Sequence, residues 1–252
     1  MRIQEAGSQR IPSPCGRPTI RRRALVAAPP LLALGVSAQA AALDLLLILA
    51  VDASGSIDQD EFALQREGIA ESIAHPAVLA AIRSQPRGAI GVAMIEWGSP
   101  GGAVLVVDWH RITDAASAAI AAQAMREAPR SPQSFNAIGD ALVLAGAVFA
   151  AAPWPAAERT VDVSGDGPDM RSRVPAPQAR DALVAAGVVV NALAIEAGSN
   201  WRDGRLAALY ERDVIGGPGA FVVRAEDRRD FARALRAKLV REIAGLPAIG
   251  AG

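Results

Sequence analysis

Apolar residues fall into two patterns along this chain: short unbroken aliphatic runs, and longer stretches with apolar positions every three or four residues. The first run, residues 43–51 (LDLLLILAV), shows no polar alternation and predicts a strand buried on both faces. Residues 88–97 and 103–108 are two further strand-like runs, joined by Gly98-Ser99-Pro100-Gly101-Gly102. So short and Gly-rich a link predicts a hairpin, which places an antiparallel strand at a sheet edge. Residues 160–164 (TVDVS), 188–195 (VVVNALAI) and 220–223 supply the remaining strands.

Helical periodicity fills the gaps. A helix is predicted over 59–74, started by either Ser56-x-x-Gln59 or Asp58-x-x-Glu61, broken at His75-Pro76 and continued to 82. Thr113-Asp114 opens another to 128, Asn136 caps one to 151, and shorter ones cover 177–186 and 206–212. Over 227–244, Phe231, Leu235, Leu239 and Ile243 recur at i+4, with arginines on the opposite face. Strands alternating with helices, without linker or repeat, predict one α/β domain. Its sheet is doubly wound, mostly parallel and Rossmann-like, with helices on both faces.

The first forty residues break this pattern. Six arginines lie in residues 1–23, ending in Arg21-Arg22-Arg23; an apolar stretch over 24–36 follows, then Ser37-Ala38-Gln39-Ala40. A basic flank, a short apolar run and a small-residue exit predict a signal peptide over 1–40 and a folded domain over 41–252. The apolar stretch is too short to span a bilayer and is interrupted by Pro29-Pro30. Arg22-Arg23-Ala24-Leu25-Val26 loosely fits a twin-arginine signal, so export by either that or the general secretory route is expected, to the periplasm or the exterior.

Charge changes meaning with that cleavage. The chain holds 26 Lys+Arg against 26 Asp+Glu, a formal net of zero. Removing six arginines and Glu5 leaves 26 − 6 = 20 basic and 26 − 1 = 25 acidic residues, a net of −5, and the single cysteine, Cys15, leaves too. A cysteine-free, mildly acidic domain offers no disulfide framework, no Cys-rich zinc site and no basic face for nucleic acid. Lys238 is the only lysine, which excludes a Gly-rich phosphate loop ending in Lys. Hydrophobic residues at 51% and charged ones at 21% exclude a disordered chain.

In a doubly wound sheet, ligands bind beyond the carboxyl ends of the strands. Three polar clusters fall there: Asp52-x-Ser54-x-Ser56, Ser134 to Asn136, and Asp166-Gly167. Alternate spacing in a turn lets Asp52, Ser54 and Ser56 face one point, with Gly55 easing the bend. Carboxylate, hydroxyl and carboxamide oxygens suit a hard ion such as Mg²⁺ or Mn²⁺ rather than zinc. With only two carboxylates the ion stays electron-poor, and an open position favours an acidic group from another protein. Each residue also has a structural alternative: Asp52 and Asp166 as turn residues, Ser56 and Asn136 as helix caps. Asp162 inside a strand is either edge-facing or a supporting partner of the site. Glu96-Trp97 ends a strand near the same rim, whereas His75 and His110 sit in no ligand spacing.

Asp52-Ala53-Ser54-Gly55-Ser56 after an aliphatic strand resembles the first element of the metal-ion-dependent adhesion site (MIDAS) of von Willebrand factor A (vWA) domains. The Asn136-Ala-Ile-Gly-Asp-Ala segment resembles the middle element, and Asp166-Gly167 the last. The strings ALQREG, VSGDGP and VIGGPGAFVV are similar to a bacterial group of exported vWA-like proteins of unknown function. The resemblance spans residues 43–245 and implies a vWA fold with Asp52, Ser54, Ser56, Asn136 and Asp166 around a divalent cation. One departure stands out: the middle element normally supplies a threonine hydroxyl, where this chain has Asn136, with Ser134 as a substitute if the loop shifts.

The function expected is an exported, non-enzymatic, adhesion-type module whose metal accepts an acidic group of a partner protein. A phosphohydrolase or phosphotransferase with Asp52 as nucleophile is the enzymatic alternative. It lacks a general acid, because Ser54 stands where a second carboxylate is needed. A metal-independent interaction domain, binding through apolar and arginine-rich faces, is the third.

Overall fold

The computed structural model describes residues 42–55, 57–196 and 203–245. The expected signal peptide over 1–40, and Ser56, lie outside the described residues.

The aliphatic run forms β1 (Leu43–Asp52), buried along its whole length, and β2 (Ile90–Trp97) is equally buried. With β3 (Val104–Ile112), β4 (Ala156–Gly165), β5 (Val189–Ile195) and β6 (Val222–Ala225) they build a six-stranded sheet of order β3-β2-β1-β4-β5-β6. All neighbours are parallel except β2 and β3, whose antiparallel pairing makes β3 the edge strand that the Gly-rich link predicts.

Strand alternation sorts the core into two layers. Leu46, Ile48 and Ala50 of β1 pack with α4 (Ile138–Ala150), α5 (Ala176–Ala185) and α6 (Arg205–Asp213) on one face. Leu45, Leu47, Leu49 and Val51 pack with α1 (Gln59–Ile73), α2 (Pro76–Arg83), α3 (Ala115–Glu127) and α7 (Phe231–Ala244) on the other. Because β1 is covered on both faces, it carries no polar alternation. Among the described residues no helix is long and apolar enough to cross a membrane.

Local chemistry decides where several helices start. Asp58 and Glu61, not Ser56 and Gln59, form the capping box of α1. His75 caps α2 through its ring nitrogen and precedes Pro76 at the first helical position, a structural role. Asn136 does not cap α4: Ala137 holds that position without a side-chain bond. The Asn136 carbonyl accepts from Ile138 N–H (3.0 Å) and Met170 N–H (2.7 Å), and its carboxamide lies against Gly167 of the neighbouring loop.

Helix α7 begins at Phe231, four residues later than its periodicity predicts. Asp227 accepts from the N–H groups of Arg229 (2.8 Å) and Asp230 (2.9 Å), and this local bonding holds residues 226–230 in a turn. Asp162 is neither edge-facing nor part of the loop cluster. It lies in central β4, 1% exposed, with Lys238 Nζ of α7 at 2.7 Å. That lysine is fully buried.

Candidate functional site

The chain runs outward from β1 to β2 and β3, then returns to β4 beside β1 and winds the other way. The crevice of such a sheet opens where the order reverses, between β1 and β4. Asp52 ends β1 and Asp166 follows the last residue of β4, so both carboxylates stand at that reversal.

The β1 loop is shaped by its own acid. Asp52, 1% exposed, accepts from Ser54 N–H at 2.8 Å, the local bond that folds the chain back after a strand. Arg130 clamps the same loop from outside, donating to the carbonyls of Ile57 (2.7 Å) and Ser54 (3.2 Å). Gln65 donates to the Asp52 carbonyl at 3.2 Å.

The middle loop is held from beneath. Glu96, fully buried beside Arg66, accepts from Ser131 N–H at 2.6 Å, which makes it the anchor of the segment leading to Asn136. Gln133 joins Ser99 N–H (2.7 Å) to the Gly102 carbonyl (2.7 Å), tying this loop to the β2–β3 hairpin. Ser134 is exposed and its carbonyl backs Gly55.

The β4 loop closes the set. Tyr210, buried, donates its hydroxyl to the Gly167 carbonyl at 2.8 Å. Asp169 accepts from the N–H groups of Gly139 and Ala176, both at 3.1 Å, so it ties the loop to the starts of α4 and α5. Asp140 does the same for Gly101 (2.7 Å) and Arg173 (3.0 Å). A Cβ at Gly167 would lie 2.3 Å from Asn136 Nδ2, so this glycine leaves room for the Asn136 carboxamide.

The structure thus brings Asp52, Ser54, Asn136 and Asp166 onto adjoining loops; Ser56 lies outside the described residues. Two polar atoms there are unsatisfied. Asp52 Oδ2 and Asn136 Oδ1 are both buried and accept no hydrogen bond among the described residues, and the Asp52 carboxyl lies against that of Asp166. Burial, and then the charge of Asp166, push the Asp52 carboxyl up to about 7. The same acids, after burial itself, drive the Tyr210 hydroxyl well above its usual range.

Among the described residues no three His, Cys, Asp or Glu side chains gather as a metal cluster. A cation here would therefore depend on hydroxyl and carboxamide oxygens beside the two carboxylates. Buried, unpartnered oxygens on Asp52 and Asn136 fit that demand, because a buried acceptor without a donor costs about 1–3 kcal/mol.

Several residues at this end have no signal in the sequence. Arg228, in the turn before α7, pairs with Asp166 and lies 2.9 Å from Glu61 Oε1. Arg130 and Tyr210 are likewise brought in by tertiary structure alone. A polar residue at the end of a buried strand was the available cue for Glu96.

The model of one protein family matches residues 42–247; that family is described as a protein of unknown function (DUF1194). None of the curated proteins matches the chain in sequence. Solved structures share its fold. Proximal thread matrix protein 1 from the mussel byssus, with a zinc-occupied MIDAS motif, is 17% identical at a TM-score of 0.58, covering 81% of this chain and 46% of its own. A von Willebrand factor type A protein from Catenulispora acidiphila is 20% identical at a TM-score of 0.54, with 81% and 43% covered. The vWF domain of the type V pili tip protein Mfa5 from Porphyromonas gingivalis is 10% identical at a TM-score of 0.56, with 84% and 99% covered. The chain spans less than half the length of the first two, and at these identities the likeness is one of fold. The chain belongs to the family described as DUF1194, and its fold is that of a von Willebrand factor A domain.

Proposed function

We propose that the chain is an exported, non-catalytic binding module of the adhesion type. Asp52, Ser54, Ser56, Asn136 and Asp166 would hold Mg²⁺ or Mn²⁺, and the bound cation would offer an open coordination position to a carboxylate of a partner protein. The observation that carries this reading is the pair of buried, unpartnered oxygens, Asp52 Oδ2 and Asn136 Oδ1, on adjoining loops at the reversal of the sheet. A hard, all-oxygen donor set favours Mg²⁺ or Mn²⁺. The zinc in the mussel protein's MIDAS motif supports occupation of such a motif by a divalent ion. The pilus-tip origin of the Mfa5 domain supports a role in protein contact, and the basic–apolar–small order of residues 1–40 supports export.

Thermal melting tests the metal. Millimolar Mg²⁺ or Mn²⁺ should raise the melting temperature of the wild type, EDTA should reverse it, and Asp52→Ala should show no response. A wild type indifferent to both ions contradicts the proposal.

A further inference from the structure

The 226–230 turn brings a resident cation to this site. Arg228 is 11% exposed, and its guanidinium bridges Asp166 and Glu61, with Nε 2.9 Å from Glu61 Oε1. Glu61 is itself fixed, since its second oxygen accepts from Asp58 N–H at 3.1 Å in the capping box of α1. The turn that carries Arg228 is pre-shaped by the Asp227 bonds to Arg229 and Asp230 N–H, and Arg233 holds Asp230 at 2.5 Å. A planar guanidinium suits this bridge because it can meet two carboxylates at once. One positive charge therefore joins the β4 loop, the start of α1 and the entrance to α7.

The bridge offsets part of the charge of Asp166 and Glu61 but does not reach Asp52, whose Oδ2 accepts no hydrogen bond among the described residues. A divalent cation shared by Asp52 and Asp166 would meet a guanidinium already on Asp166. Two cations on one carboxylate repel, and in a partly buried site that repulsion is weakly screened.

We propose, on the footing of the metal-binding function above, that Arg228 is a built-in competitor of the metal: its bridge to Asp166 and Glu61 occupies the site in the metal-free chain and sets the metal affinity. Linkage makes the effect reciprocal, so metal binding loosens Arg228 from Asp166 to the degree that Arg228 weakens the metal. Arg228 is a tuning residue, not a ligand.

Calorimetric titration of Mn²⁺ into the wild type, Arg228→Gln, Arg228→Lys and Asp52→Ala tests this. Arg228→Gln should bind Mn²⁺ at least about tenfold more tightly than the wild type. Arg228→Lys keeps the charge but has one nitrogen in place of the Nε and Nη2 that meet Glu61 and Asp166 separately, and should fall between them. In wild type, saturating Mg²⁺ should shift the Arg228 Nε–H resonance, identified by its loss in Arg228→Lys, which covers the case of a poorly folded Gln variant. If wild type binds and Asp52→Ala does not, while Arg228→Gln binds equally or more weakly, the competitor role is overturned and the metal site stands. An Arg228 resonance unmoved by saturating Mg²⁺ also overturns it. Absence of Mn²⁺ binding in wild type and Arg228→Gln alike overturns the metal site, and the competitor role with it.

Discussion

Two clusters in this molecule set acids against a basic side chain, and they differ in whether that cation reaches every acid. Under α7, Lys238 Nζ lies 2.7 Å from Asp162 Oδ1 and 2.5 Å from Glu242 Oε1, and Asn191 donates to Glu242 at 2.7 Å. One cation reaches both acids there and all four side chains are buried, although Asp162 Oδ2 and Glu242 Oε2 accept no hydrogen bond among the described residues. At the loop end, Arg228 meets Asp166 and Glu61, while the Asp52 Oδ2 accepts no hydrogen bond among the described residues. The first arrangement carries its own counter-charge. The second is short of positive charge at the residue most deeply buried, which is the condition of a site that takes a cation from outside.

Breaking each cluster should therefore have opposite signatures. Lys238→Met leaves Asp162 and Glu242 buried together without a cation, and should cost about 3–5 kcal/mol in urea unfolding at pH 8. Its melting response to Mn²⁺ should persist; a loss below about 1 kcal/mol would mean that the buried cluster adds little. Asp52→Asn should do the reverse. Metal-free stability should not fall, because Asn keeps an oxygen for Ser54 N–H and removes a buried charge. The metal-induced gain should vanish; in wild type it reaches about 2.7 kcal/mol at a cation concentration a hundred times the Kd.

Acidity sharpens the contrast. Burial raises Glu242 from 4.5 to about 7, with Lys238 opposing and the Asp162 charge adding, and burial raises Asp52 from 3.8 to about 7. In both cases the folded state holds its proton more tightly than the unfolded chain. The stabilising contribution is full below the unfolded value and is lost as pH rises through about 7. Metal-free stability should thus fall across that window, with a slope of up to about 1.4 kcal/mol per pH unit from each group. Glu242→Gln should remove one share at any metal concentration. The Asp52 share should disappear in saturating Mg²⁺, and a slope insensitive to Mg²⁺ would place Asp52 in the same class as Glu242. The smallest effect expected is that of Gly167→Ala. Its Cβ would lie 2.3 Å from Asn136 Nδ2, displacing a flexible carboxamide at a cost of about 1 kcal/mol and weakening the Mn²⁺ response.

Much of the fold is legible in the sequence, because burial on both faces writes itself as unbroken aliphatic runs. β1 and β2 are such runs, and the Gly-rich link between β2 and β3 announces the antiparallel edge. β4 begins earlier than its TVDVS core, since its first residues are only partly buried and so carry no strand-like pattern. Asp52, Ser54, Asn136 and Asp166 are visible because polar residues follow buried strands or open helices at the sheet's carboxyl rim. The contacts that position them are not visible. Arg228 reaches Asp166 across 62 positions and Glu96 reaches Ser131 across 35, and no local periodicity encodes either meeting. The meeting of Lys238 with Asp162 is equally hidden, because only the sheet brings β4 beneath α7.

The central claim is that the loop end takes one divalent cation through Asp52. Electron paramagnetic resonance of free Mn²⁺ during titration counts the ions bound per chain. The account predicts one saturable Mn²⁺ on the wild type, one on Lys238→Met, and none on Asp52→Ala at the same concentrations. Equal counts on wild type and Asp52→Ala, or no saturable ion on the wild type, would contradict it.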